Sequence, residues 1–158
     1  VRLSSKGRYG VRAMLDVAVH EGIGPVSVKS ISQREGISLN YLEQIFNQLR
    51  KAGLVKSVRG PGGGFLLSLR AREIKIMDIM KALKEAVTPV YCLDNKKKAH
   101  CKYITDCSPR LLWRELGDKI KEVLEKTSLE DLLEKSRKTS SLSQPETNTS
   151  FKFKERIK

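Results

Sequence analysis

Little in the chain points to an enzyme, a secreted scaffold or a membrane protein. Only three cysteines occur in 158 residues, and an odd number without a secretion signal argues against a disulfide framework. No uninterrupted apolar run approaches the roughly 20 residues needed to span a bilayer. The opening Val1-Arg2-Leu3-Ser4-Ser5 has no apolar signal core, so a cytoplasmic protein without a membrane partner is expected. No nucleophile with a matched base and no carboxylate pair stands out, so no catalysis is expected. The glycine run at 60–64 lacks the Gly-Lys-Ser/Thr ending of a nucleotide-binding loop. Acid is scarce as well: 18 Asp and Glu face 31 Lys and Arg, a net charge of +13 with a pI near 9.8. Residues 1–70 carry 11 basic and 4 acidic groups, and residues 71–138 carry 16 and 12, so the excess is densest in the first half. Clustered cations gain affinity for a polyanion by releasing its counterions, which favours nucleic acid as partner.

What is present reads as mainly α structure with a small β-hairpin, laid out as a winged helix-turn-helix followed by a long helix. Arg2, Lys6, Arg8 and Arg12 enter a first helix whose inner side is Tyr9, Ala13, Met14, Val17 and Ala18. Gly22, Gly24 and Pro25 break it. Ser27 caps a short helix with Val28 and Ile31 inward, and Gly36 makes the turn into the next. There Ser38 is a cap, and Leu39, Leu42, Ile45, Phe46 and Leu49 share one face. Asn40, Tyr41, Glu43, Gln44, Asn47 and Gln48 remain for solvent. Amides pair bidentately with adenine and a carboxylate accepts from cytosine, so Asn40, Tyr41, Glu43 and Gln44 are expected to read bases in a major groove.

Gly53 ends this helix. Leu54–Arg59 and Phe65–Leu69 form two strands, and the hairpin tip carries Arg59 beside Gly60, Pro61 and Gly62. A tip nearly bare of side chains can press its amides on phosphates while Arg59 enters a minor groove. The winged domain is placed at 1–87, with Ile76, Ile79, Met80, Leu83 and Val87 as the buried side of its last helix and the methionines as core filler.

Residues 88–108 form a loop with little periodicity, and it contains Cys92, Cys101 and Cys107. Thiolates suit iron–sulfur clusters, zinc or copper(I). Gaps of eight and five residues fit no zinc-finger pattern. Lys96, Lys97, Lys98 and Lys102 would favour thiolates and offset an anionic cluster. Ser108-Pro109 opens a long helix, in which Trp113, Leu116, Ile120 and Val123 form a thin apolar seam suited to pairing with a second copy. Ser128 and Asp131 cap a short closing helix with Leu129, Leu132 and Leu133, completing a segment 109–138. Residues 139–158 are polar, and a disordered tail is expected.

Four blocks carry a family resemblance: Arg2-Leu3-Ser4-Ser5-Lys6-Gly7-Arg8-Tyr9, Gly36-Ile37-Ser38, Tyr41-Leu42-Glu43-Gln44 and Val58-Arg59-Gly60-Pro61-Gly62-Gly63-Gly64. From Arg2 to about Leu133 the chain resembles the IscR family of bacterial winged-helix regulators, with relatives such as NsrR and CymR. The resemblance implies a homodimeric transcription factor on double-stranded promoter DNA, such as the promoters of cluster-assembly genes. Arg2, Ser38, Asn40, Tyr41, Glu43, Gln44, Arg59, Gly60 and Gly62 would contact DNA. Cys92, Cys101 and Cys107 would hold an iron–sulfur cluster, 2Fe-2S first and 4Fe-4S as the alternative.

The chain departs from that pattern in its fourth ligand. Arg110 stands where cluster-binding members carry histidine, and Arg8 stands where a nitric-oxide-sensing relative carries aspartate. The first gap between cysteines is also longer than is usual in the family. His100, Asp94, Asp106 and Asp16 are left as candidate donors. Two alternatives keep the fold: a cluster-free thiol or zinc sensor, and a repressor controlled by a protein co-regulator such as an enzyme of cysteine synthesis.

Overall fold

The computed structural model describes residues 3–94 and 101–142. The order of elements is α1 (Ser5–Val19), α2 (Val28–Glu35), α3 (Leu39–Lys51), β1 (Val55–Val58), β2 (Gly64–Leu67), α4 (Ile76–Ala82), a single 3-10 turn (Tyr91–Leu93), α5 (Pro109–Lys126) and α6 (Leu129–Leu142). No helix among the described residues is long and apolar enough to cross a membrane.

Local chemistry explains most of the boundaries. The Ser4 hydroxyl accepts from the Gly7 amide at the start of α1, and the Ser27 hydroxyl accepts from the Ser30 amide at the start of α2. Gly36 closes α2 in the left-handed region, and the Ser32 hydroxyl donates to the Ile37 carbonyl at 2.6 Å, tying the turn to α3. Ser128 and Asp131 form a reciprocal cap at α6, with bonds of 2.7 and 3.2 Å.

The core joins Ala13, Met14 and Val17 of α1 to Ile31 of α2, to Leu42, Ile45, Phe46 and Leu49 of α3, and to Ile76, Ile79 and Met80 of α4. Burying a large aliphatic or aromatic side chain contributes about 1.5 to 3 kcal/mol, so this shared interior fixes how the winged unit is arranged. β1 and β2 pair antiparallel, with Val55 opposite Leu67 and Val58 opposite Gly64. Phe65 of β2 stacks on Phe46 of α3 with ring centroids 4.6 Å apart. Phe65 also exchanges two backbone bonds with Val26, at 2.8 and 2.9 Å. The hairpin is therefore held from two sides, one of them the helix it flanks.

Four expectations need correction. Leu39 is 39% exposed and lies outside the apolar face of α3, because it begins the helix before that face meets α1. α4 ends at Ala82, with Lys84 turning the chain at φ +55, so Val87 is buried beyond the helix rather than within it. Ile120 packs against the core, so the outward stripe of α5 is instead Leu112, Trp113, Leu116 and Val123. Finally, α6 continues through Leu142, placing 139–142 in a helix. The remaining tail, together with Arg2, Lys96, Lys97, Lys98 and His100, lies outside the described residues.

The second half is tied back to the first by backbone bonds. The Ile76 amide donates to Thr127 at 2.9 Å and the Leu129 amide to Ile74 at 3.0 Å. α5 and α6 thus leave from a joint anchored at the start of α4, and α6 returns to pack on α1.

Candidate nucleic-acid interface and cysteine segment

Leu42, Ile45, Phe46 and Leu49 are fully buried, so helical periodicity turns Asn40, Glu43, Gln44 and Asn47 outward. Three amides and a carboxylate then share the free face of α3, a set able to donate to and accept from base edges. Tyr41 departs from its expected place. It is half-buried and meets Tyr9 edge to face, centroids 5.9 Å apart and planes at 85°. The guanidinium groups of Arg8 and Arg12 lie 5.9 and 6.0 Å from the Tyr9 ring. Tyr41 therefore braces α3 against α1 and its two cations more than it extends toward a groove. Ser38 is exposed and stands at the start of α3, but its hydroxyl makes no bond to the first helical amides. The expected cap is absent, and the hydroxyl remains open to an outside acceptor.

At the hairpin tip Arg59, Gly60, Pro61 and Gly62 are all exposed, and the Gly63 amide closes a turn on the Gly60 carbonyl at 2.9 Å. Gly64 is required by close approach, since a Cβ there would sit 2.3 Å from the Val26 carbonyl oxygen. The bridge to Val26 that fixes the wing thus depends on a missing side chain.

Beneath this face, Asp16 is 7% exposed and takes the Arg34 guanidinium in a fork, at 2.6 and 2.8 Å. That contact raises the Arg34 pKa. Arg12 pairs with Glu35 at 2.7 Å. Two of the first half's cations are therefore committed to locking α1 to α2. Asp16 is also engaged, which weakens it as a donor for a distant metal.

The three thiols are free. Cys92 is buried in the 3-10 turn, whereas Cys101 and Cys107 are half-buried, Cys107 two residues before the start of α5. Leu93 and Pro89 approach α5 at Gly117, where an added Cβ would meet Pro89 at 3.1 Å. Three soft thiols on one segment are a donor set suited to an iron–sulfur cluster. Among the described residues, however, no three His, Cys, Asp or Glu side chains gather to hold a metal. Arg110 lies beside Cys107 in an open cavity with Asp106 and Arg114, and its Nε is buried without a partner. Being permanently protonated, it cannot itself act as a metal donor.

Periodicity identified the outward face of α3 but not the contact of Tyr41 with Tyr9. The signal available was a second tyrosine, Tyr9, on a helix whose partner could not be known from spacing.

The arrangement agrees with what the chain is similar to. Residues 3–135 match the Rrf2 family, described as "Iron-dependent Transcriptional regulator". The HTH-type transcriptional regulator IscR of Photorhabdus laumondii is 50% identical over 133 residues, covering 84% of this chain and 79% of that protein. Among solved structures, T. potens IscR superposes with a TM-score of 0.71 at 38% identity, covering 93% of this chain and 94% of that one. CymR, the global cysteine regulator of B. subtilis, superposes at 0.70 with 42% identity, covering 84% and 95%. With the exposed amide face of α3, the locked hairpin and these likenesses together, the chain belongs to the Rrf2 family of DNA-binding transcriptional regulators and is not an enzyme.

Proposed function

We propose that the protein is a cytoplasmic homodimer that represses or otherwise controls promoters, including those of cluster-assembly genes, according to iron–sulfur status. The observation that carries this reading is the free face of α3, Asn40, Glu43, Gln44 and Asn47, set beside a wing anchored through Phe46, Phe65 and Val26. Asn40, Glu43 and Gln44 read bases, Ser38 and Arg2 meet phosphates, and Arg59 enters the minor groove with the Gly60 and Gly62 backbone against the strand. Tyr41 contributes mainly by holding the helix in place.

Cys92, Cys101 and Cys107 are the ligands in this reading, for a 2Fe-2S cluster first and a 4Fe-4S cluster second. Such a group, when bound, supplies a centre sensitive to oxidants and nitric oxide. The protein's part is mechanical. Gathering Cys92 and Cys107 tightens the segment that touches α5 through Pro89 and Leu93 at Gly117. α5 also bears the exposed stripe on which a second copy would pair, so its tilt sets the spacing of the two α3 helices. A differential affinity of a few kcal/mol between two such states is enough for regulation.

The test is an anaerobic preparation assayed for iron, sulfide and visible absorbance. Alanine at any of the three cysteines should abolish the colour and most of the iron. Unchanged iron in all three variants overturns the ligand assignment. A second reading, a thiol sensor without iron or a repressor with a protein co-regulator, draws support from the 42% identity to the cysteine regulator CymR. Colourless, iron-free protein that still binds promoter DNA, with binding altered by thiol oxidation or by a partner enzyme, would establish it.

A further inference from the structure

Four lysines from three helices meet in one place. Lys6 of α1, Lys51 at the end of α3, and Lys81 and Lys84 around the end of α4 line an open groove of about 620 Å³, alongside Gln44 and Asn47. No acidic side chain lines it, and among the described residues none of the four ammonium groups is in an ion pair. Several cations elsewhere are matched, Arg12 to Glu35, Arg34 to Asp16, Arg70 to Glu73, and Lys119 and Lys126 to Glu122, whereas here four unmatched ones line a single groove. Glu85, next to Lys84 in the chain, accepts from the Ser4 hydroxyl and does not line the groove. Like charges converging without a counter-charge repel one another, and an anion in the groove would relieve that repulsion.

Lys84 supplies a second, independent observation. α3 and α4 end in the same motif. After α3, the Gly53 amide donates to Arg50 and the Leu54 amide to Leu49, both at 3.0 Å. After α4, the Lys84 amide donates to Lys81 at 3.0 Å and the Glu85 amide to Met80 at 2.9 Å. The left-handed position is Gly53, φ +75, in one case and Lys84, φ +55, in the other. Glycine is the inexpensive occupant there, and Lys84 is the sole non-glycine with positive φ among the described residues. Backbone strain of this kind concentrates where a side chain is needed for function.

We propose that this groove is a second DNA contact, a seat for the phosphate backbone beside the base pairs that α3 reads. Gln44 and Asn47 lie on both the reading face and the groove, so a strand leaving the recognition helix passes directly over the four ammonium groups. The assignment rests on α3 reading duplex DNA. It adds a sequence-independent anchor separate from the wing.

The experiment compares the full-length chain with Lys84→Gly and with Lys51→Gln/Lys81→Gln/Lys84→Gln. Affinity is measured across a salt series on a random-sequence duplex and on a duplex selected from a random pool by the unmodified chain. Lys84→Gly should raise or preserve the melting temperature, because it relieves the left-handed lysine, while weakening both duplexes equally. The slope of log K against log salt should become shallower by about 0.9 for each phosphate that a bound chain no longer neutralises. The ratio of affinities for selected and random duplex should stay constant. A slope and affinity equal to those of the unmodified chain would overturn the groove assignment, as would a change in sequence preference. The base-reading assignment is judged separately, by whether the unmodified chain prefers its selected duplex at all and whether Gln44→Ala erases that preference.

Discussion

Gly10 shows how much one absent methyl group decides. It lies on the buried side of α1 where that helix crosses the end of α4, and a Cβ there would stand 2.2 Å from a Leu83 methyl carbon. Leu83 is 1% exposed, so it would have to shift within a packed interior to make room. Gly10→Ala should therefore destabilise the fold by about 1 to 3 kcal/mol through overpacking, less the ~1 kcal/mol that alanine returns inside a helix. Urea denaturation checks this, and a stabilised variant would show that the two helices can part. The sequence could show that position 10 falls on the inner face of α1, but not which side chain it meets. Tyr41 is the same lesson with a larger side chain. Its polarity and its place near the start of α3 suggested base reading, whereas the structure turns it onto Tyr9.

At the scale of elements, the wing and the α5–α6 arm differ in what holds them. The wing is two short strands, too few for independent stability, and its anchor is the Phe46–Phe65 stack with the Val26 bridge. Phe65→Ala should cost about 1 to 3 kcal/mol and weaken DNA binding without removing any group that touches DNA. Normal affinity in a folded variant would mean that the tip does not need this support. The hairpin's strands and glycine tip were legible from the alternation of apolar runs and turn residues, but the third strand-like partner, Val26, lies far back in the chain and left no local mark.

On α5, Glu122 accepts from Lys126 at 2.6 Å and Lys119 at 3.0 Å, and this holds its carboxyl at about 2 against an ordinary 4.5. Asp131, bonded to the Ser128 hydroxyl and amide, is likewise lowered. Because both folded values are depressed, the stability these groups add is complete above the ordinary carboxylate range. It is lost as pH falls from about 4.5 toward 2. Helical circular dichroism followed through that window should show α5 and α6 loosening, and Glu122→Gln should remove part of the pH dependence. A flat profile in the unmodified chain would refute the account.

For the whole molecule, α5 leaves an exposed apolar stripe, the surface on which the proposed homodimer would pair. Trp113 is 37% and Val123 62% exposed, with Leu112 and Leu116 between them in exposure and on the same side. Such a stripe finds cover most simply in a second copy, and paired DNA half-sites require two-fold symmetry. Leu116→Glu combined with Val123→Glu should convert dimer to monomer in sedimentation velocity and reduce operator affinity sharply while α1–α4 remain folded. A monomeric unmodified chain would refute it.

Helical and strand periods, the breaks, the caps at Ser27 and Ser128, the basic character of the first half and the family could be read from the chain alone, since each depends on neighbours within a turn or on long runs of identity. Only the tertiary packing shows that Ile120 packs against the core, that Tyr41 meets the ring of Tyr9, that the three thiols are not gathered among the described residues, and that Lys6, Lys51, Lys81 and Lys84 share one groove. Those outcomes join residues dozens of positions apart, and only the packing of one helix on another sets which of them meet.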